Sequence, residues 1–143
     1  MFLLETKNLG GIVELRDGMP HLRRRHDPDA DTPCERIRPR ALAAAAGLKG
    51  DIERRTGHRI WVQAVVVFWS EFPEGLVDDG TCVFAHGPRL RAFLEGRTNQ
   101  FNDIQIVEIT AAIAHIASQD PTESAGVKVR GPMGRAEAGF DPS

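Results

Sequence analysis

A chain of 143 residues with 41% hydrophobic and 27% charged side chains has the make-up of an ordinary globular domain, long enough to bury about two thirds of the surface its unfolded form exposes. A net charge of −2 does not announce a nucleic-acid binder, and the two cysteines, Cys34 and Cys82, stand too far apart for a zinc or redox motif. There is no apolar run of transmembrane length and no basic leader at the start, so the expectation is a cytoplasmic protein with no membrane partner.

The first element is Phe2-Leu-Leu-Glu-Thr-Lys7, an apolar run ending in two charges, which reads as a buried strand. Side chains alternate along a strand, so Leu3, Glu5 and Lys7 share one face while Phe2, Leu4 and Thr6 share the other. Glu5 and Lys7 are then same-face neighbours, about 6 to 7 Å apart at the backbone. A carboxylate and an ammonium so placed suit metal-dependent phosphodiester hydrolysis, the first as a hard oxygen ligand and the second as an orienting group for water or phosphate. The same spacing also describes an ordinary ion pair at a solvated strand end.

After Asn8 to Gly11, residues 12–16 read as a second strand, Asp17-Gly18 as a tight turn, and residues 19–22 as its partner. Residues 23–32 are polar and turn-rich, and read as a mobile loop able to close over a substrate; His21, His26, Asp27, Asp29 and Asp31 could also be drawn as a metal site. Thr32-Pro-Cys-Glu35 has the form of a capping box, and the stripe Ala41, Ala45, Leu48 and Ile52 continues a helix to Thr56, with Gly57 to end it. Pro39 makes either a separate first turn or a restart of that helix. Residues 61–69 form the strongest strand, a β-branched run buried on both faces, in which Gln63 either satisfies a backbone group or faces Glu5.

Residues 70–80 read as a loop, 81–85 as a strand and 88–95 as a helix, with Trp69 and Phe72 filling space where that helix meets the sheet in preference to forming a base-stacking platform. Asn102 caps a further helix to Ser118, whose stripe of Ile106, Ile109, Ile113 and Ile116 packs either on the domain or on a second copy in a homodimer. Residues 119–143 have no hydrophobic period and read as a disordered tail. The positive charge is mostly Arg, including Arg23-Arg24-Arg25, and Arg suits bidentate phosphate contacts.

Phe2-Leu-Leu-Glu-Thr-Lys-Asn-Leu-Gly-Gly-Ile-Val13, the hairpin and Ala-rich helix after it, and Val62-Gln-Ala-Val-Val-Val-Phe-Trp69 together resemble the nuclease-related domain family, a relative of the PD-(D/E)xK restriction-endonuclease-like superfamily. The resemblance covers residues 1–97, leaving 98–118 as a C-terminal amphipathic helix and 119–143 as the tail. It implies an α/β fold in which a mixed central sheet has an antiparallel meander carrying Glu5 and Lys7, and a crossover helix. It further implies that Glu5 is a catalytic residue holding Mg²⁺, that Lys7 is its catalytic partner, and that DNA is the substrate; from the charge pattern, Arg23, Arg24 and Arg25 form either a solvated face or, with Lys7, the nucleic-acid-binding residues.

The family's site also takes an Asp from the strand before the Glu-x-Lys strand, and some members a Gln near the start of the helix. Here Asp17, Asp27, Asp29 and Asp31 all lie downstream, and Pro39-Arg-Ala-Leu-Ala43 has no Gln. Two expectations follow. Either the full site begins upstream of Met1, or this is an inactive remnant that binds a nucleic acid or a protein partner. An exposed edge of the Glu-x-Lys strand would be a second route to a homodimer.

Overall fold

The computed structural model describes residues 1–119 as an α/β domain with two sheets and three helices. The central sheet has the order β1 (Phe2–Lys7), β5 (Gln63–Phe68), β7 (Cys82–His86), β6 (Leu76–Asp78), parallel except for β6. The second sheet is an antiparallel meander of β2 (Ile12–Arg16), β3 (Met19–Arg24) and β4 (Asp27–Pro33). The helices are α1 (Ile37–Thr56), α2 (Gly87–Glu95) and α3 (Asp103–Gln119).

The β-branched run of β5 explains its place. Every residue of β5 is buried, and Val65, Val66, Val67 and Phe68 have no exposed surface. Each such side chain contributes roughly 1.5 to 3 kcal/mol. Only a strand covered on both faces can use such a sequence, so β5 lies between β1 and β7 with helices on either side. On one face Ala64, Val66, Phe68 and Phe84 meet α1 and the meander through Ile37, Ala41, Ala45, Ile52 and Val13. On the other, Val65, Val67, Val83 and Ala85 meet α2 through Phe93.

Several expectations are corrected. The meander does not carry Glu5 and Lys7: β1 pairs in parallel with β5 at the edge of the central sheet, and the meander packs on that sheet's face. Residues 27–33 form a strand and not a loop, since Leu22 pairs with Thr32 and Arg23 with Asp31. Opposite charge stands in for apolar patterning in this outermost strand, with Arg16 and His21 facing Asp31. Thr32 therefore belongs to β4 and caps nothing; α1 begins at Ile37, its N-cap Arg36 makes no side-chain cap, and Pro39 falls in the first turn, where a backbone N–H has no helical partner to lose.

Other local signals hold. Asp17 (φ 51°) and Gly18 (φ 74°) turn the β2–β3 hairpin, and Gly57 (φ 71°) closes α1 by donating its N–H to the Glu53 carbonyl at 2.9 Å. Asn102 caps α3 in a reciprocal box: its Oδ1 accepts the Gln105 N–H at 2.9 Å, and Gln105 Oε1 accepts the Asn102 N–H at 3.0 Å. Within α3 the buried stripe is Ile109 and Ala112, with Ile116 partly buried, and these pack on the domain; Ile106 and Ile113 of the expected stripe are exposed. Among the described residues no helix is long and apolar enough to cross a membrane. The disordered-tail expectation falls, apart from Gln119, outside the described residues.

Candidate functional site

Glu5 and Lys7 stand on one face of β1, where the register sets them opposite Val66 and Phe68 of β5. That is the face covered by α1 and the meander, and there Lys7 Nζ pairs with Glu5 Oε1 at 2.7 Å. Both side chains are about a quarter exposed, 25% for Glu5 and 26% for Lys7, so the pair is neither sealed in the core nor free in solvent. The apolar run of β1 pins its start to β5, and the Lys7 carbonyl accepts the Trp69 N–H at 2.9 Å, which fixes the strand's end.

Gln63 is not part of this pair. It lies opposite Phe2, and strand alternation puts it on the face away from Glu5. The three arginines divide as well. Arg23 is tied to Glu14 across the hairpin at 2.8 Å, whereas Arg24 and Arg25 reach a cleft of about 700 Å³ just beyond the end of β1. Leu9 to Gly11, the β3–β4 turn, and Trp69, Ser70 and Glu71 at the end of β5 enclose it.

The cleft's floor is built by hydrogen bonds. Ser70 Oγ accepts the Leu9 N–H at 2.6 Å and donates to the Leu9 carbonyl, joining the two chain segments that leave β1 and β5. The Val13 N–H donates to the Glu71 carbonyl at 2.8 Å, which carries the junction into β2. Gly11 (φ 149°) makes the approach to β3 possible, because a Cβ there would collide with the Arg23 carbonyl oxygen. Arg25 bridges the cleft to Glu71 at 2.8 Å. Trp69 and Phe72 part company: Phe72 is 2% exposed and packs on Phe68 on the face covered by α1 and the meander, not against α2, whereas Trp69 is 55% exposed with its ring lying on Gly87 at the start of α2.

No period or motif in the chain marks Trp69, His26 and Ser70 as cleft residues. The signal was the register itself, since Phe68 pairs with His86 and the next step sets Trp69 against a glycine. Elsewhere, burial pushes the Cys82 thiol up to about 11 and also raises Cys34, so neither is a ready nucleophile at neutral pH.

Magnesium prefers hard oxygen ligands and keeps several waters, often binding through one or two carboxylates plus substrate phosphate. Glu5 fits that minimum with one carboxylate. Among the described residues no three His, Cys, Asp or Glu side chains are grouped to hold a metal, and His21, His26, Asp27, Asp29 and Asp31 do not form such a group. Comparison of the chain with protein-family models, with curated proteins and with solved structures finds no match.

Proposed function

We propose that this chain is a nuclease-related domain that hydrolyses DNA phosphodiesters, with Glu5 and Lys7 as its catalytic pair. The observation that carries this reading is the 2.7 Å carboxylate–ammonium pair at the end of an edge strand, partly open to solvent and next to a cleft reached by two arginines. Glu5 would hold Mg²⁺, which supplies Lewis-acid activation of the phosphate and a nucleophilic water at neutral pH. Lys7 keeps a positive charge beside that carboxylate, where it can orient the attacking water and offset negative charge growing on the phosphate. Arg24 at the cleft grips the strand away from the scissile bond, while Arg25 is held by Glu71. Chelation with EDTA should stop cleavage of labelled DNA and added Mg²⁺ restore it, with Glu5→Gln needing at least tenfold more Mg²⁺ for half-maximal rate. EDTA-resistant cleavage, or an unchanged Mg²⁺ requirement in Glu5→Gln, would overturn the assignment.

A second reading is a nucleic-acid- or protein-binding module without hydrolysis, in keeping with Glu5 belonging to no group of three or more His, Cys, Asp or Glu side chains among the described residues. It predicts DNA binding that is indifferent to Mg²⁺.

A further inference from the structure

We propose that the cleft at the end of β1 and β5 holds one unpaired nucleotide of a nucleic-acid strand, its base stacked on Trp69 and its phosphate on Arg24. The inference rests on the reading of the ligand as nucleic acid and goes beyond it by specifying single-stranded or frayed substrate.

Three features of the cleft converge on this ligand. Trp69 offers an open aromatic surface, 55% exposed, held from behind by Gly87, where any side chain would collide with the ring. An exposed indole kept in place by its neighbour at the cleft is a stacking platform for any base. Arg24 supplies the phosphate contact, because it makes no ion pair or side-chain hydrogen bond among the described residues, unlike Arg23 and Arg25 on either side of it. The two acids lining the cleft do not oppose this. Glu71 is neutralised by Arg25, and Asp27, paired in register with Arg24, can accept from the exocyclic amino group of a base.

The volume agrees with the occupant. About 700 Å³ is ample for one nucleotide, and a base that stacks within it must leave its helix to enter. The cleft opens two residues past Lys7 along the chain.

The test uses Trp61→Phe as background, which leaves Trp69 the only tryptophan. Trp61 stands at the other end of the sheet, where its carbonyl accepts from the Met1 amino group at 3.0 Å. Titration with an eight-nucleotide single-stranded DNA in EDTA should quench Trp69 emission to saturation, and the blunt duplex of the same sequence should bind at least tenfold more weakly. Trp69→Leu should weaken single-strand binding about tenfold and Trp69→Phe much less, since a ring is retained, with circular dichroism confirming that both fold. Arg24→Ala should weaken it similarly, and Glu71→Gln should strengthen it by freeing Arg25. Unquenched emission at saturating DNA, or equal affinity for single strand and duplex, overturns the proposal. So does wild-type affinity in Trp69→Leu and Arg24→Ala. Quenching without hydrolysis in Mg²⁺ would sustain the cleft and sink the catalytic reading, whereas hydrolysis unaffected by Trp69→Leu would do the reverse.

Discussion

Asp79→Asn should destabilise the domain by about 1 kcal/mol at neutral pH and by progressively less as the solution is acidified. Asp79 closes the turn between β6 and β7: its Oδ1 accepts the N–H groups of Thr81 at 2.9 Å and Cys82 at 2.8 Å, and its Oδ2 pairs with Arg38 in the first turn of α1. Burial pushes this carboxyl up, but the Arg38 guanidinium and the two N–H donors outweigh it and hold the group at about 2, below an ordinary 3.8. Such a drop converts to roughly 2.5 kcal/mol before screening. The side chain is 31% exposed, and solvent reduces the net contribution to about 1 kcal/mol. The folded value is the depressed one, so this stability is fully present above the unfolded value and is lost as pH falls from about 4 through about 2. Asn keeps the Oδ1 acceptor and the volume but not the charge. Urea unfolding of both proteins across that range should show a gap that closes with acid; a gap independent of pH, or none at neutral pH, would refute the reasoning.

Gly11→Ala should cost more than 1 kcal/mol in thermal unfolding, because φ is 149° and the new Cβ meets the Arg23 carbonyl oxygen, a backbone atom that cannot swing aside. Ser70→Ala should cost about 1 to 2 kcal/mol by denaturant titration, as it strips two hydrogen bonds from Leu9 at the cleft floor. Ile52→Ala, at a fully buried position of α1, should cost about 2 to 5 kcal/mol in the same assay. Gly87→Ala should leave the fold intact yet displace the exposed Trp69 ring, read as a shift in tryptophan emission and weaker single-strand binding.

Where local chemistry decides the structure, the sequence was legible. The β5 run announces a strand buried on both faces, Asp17-Gly18 a hairpin turn, Gly57 a helix end and Asn102 a cap. Alternation along β1 also placed Glu5 and Lys7 on one face. Long-range packing was less legible. Nothing local distinguishes a meander that continues the central sheet from one that folds over it, and that choice depends on Val13, Leu15 and Leu22 finding Phe68 and Phe72. β4 escaped notice because an outer strand stabilised by Arg–Asp pairing shows no hydrophobic alternation. The cleft escaped because its walls come from three separate stretches of chain that only the β1–β5 pairing assembles.

The proposed division of labour has Glu5 and Lys7 acting on the phosphodiester and the arginine-lined cleft only holding the strand. Its most direct test is to measure cleavage rate and DNA affinity on the same samples of wild type, Glu5→Gln and Lys7→Ala in Mg²⁺. The account predicts that each variant loses at least about a hundredfold in rate while its affinity stays within about threefold of wild type. Cleavage that persists unchanged in both variants, or affinity that falls in step with rate, would contradict it.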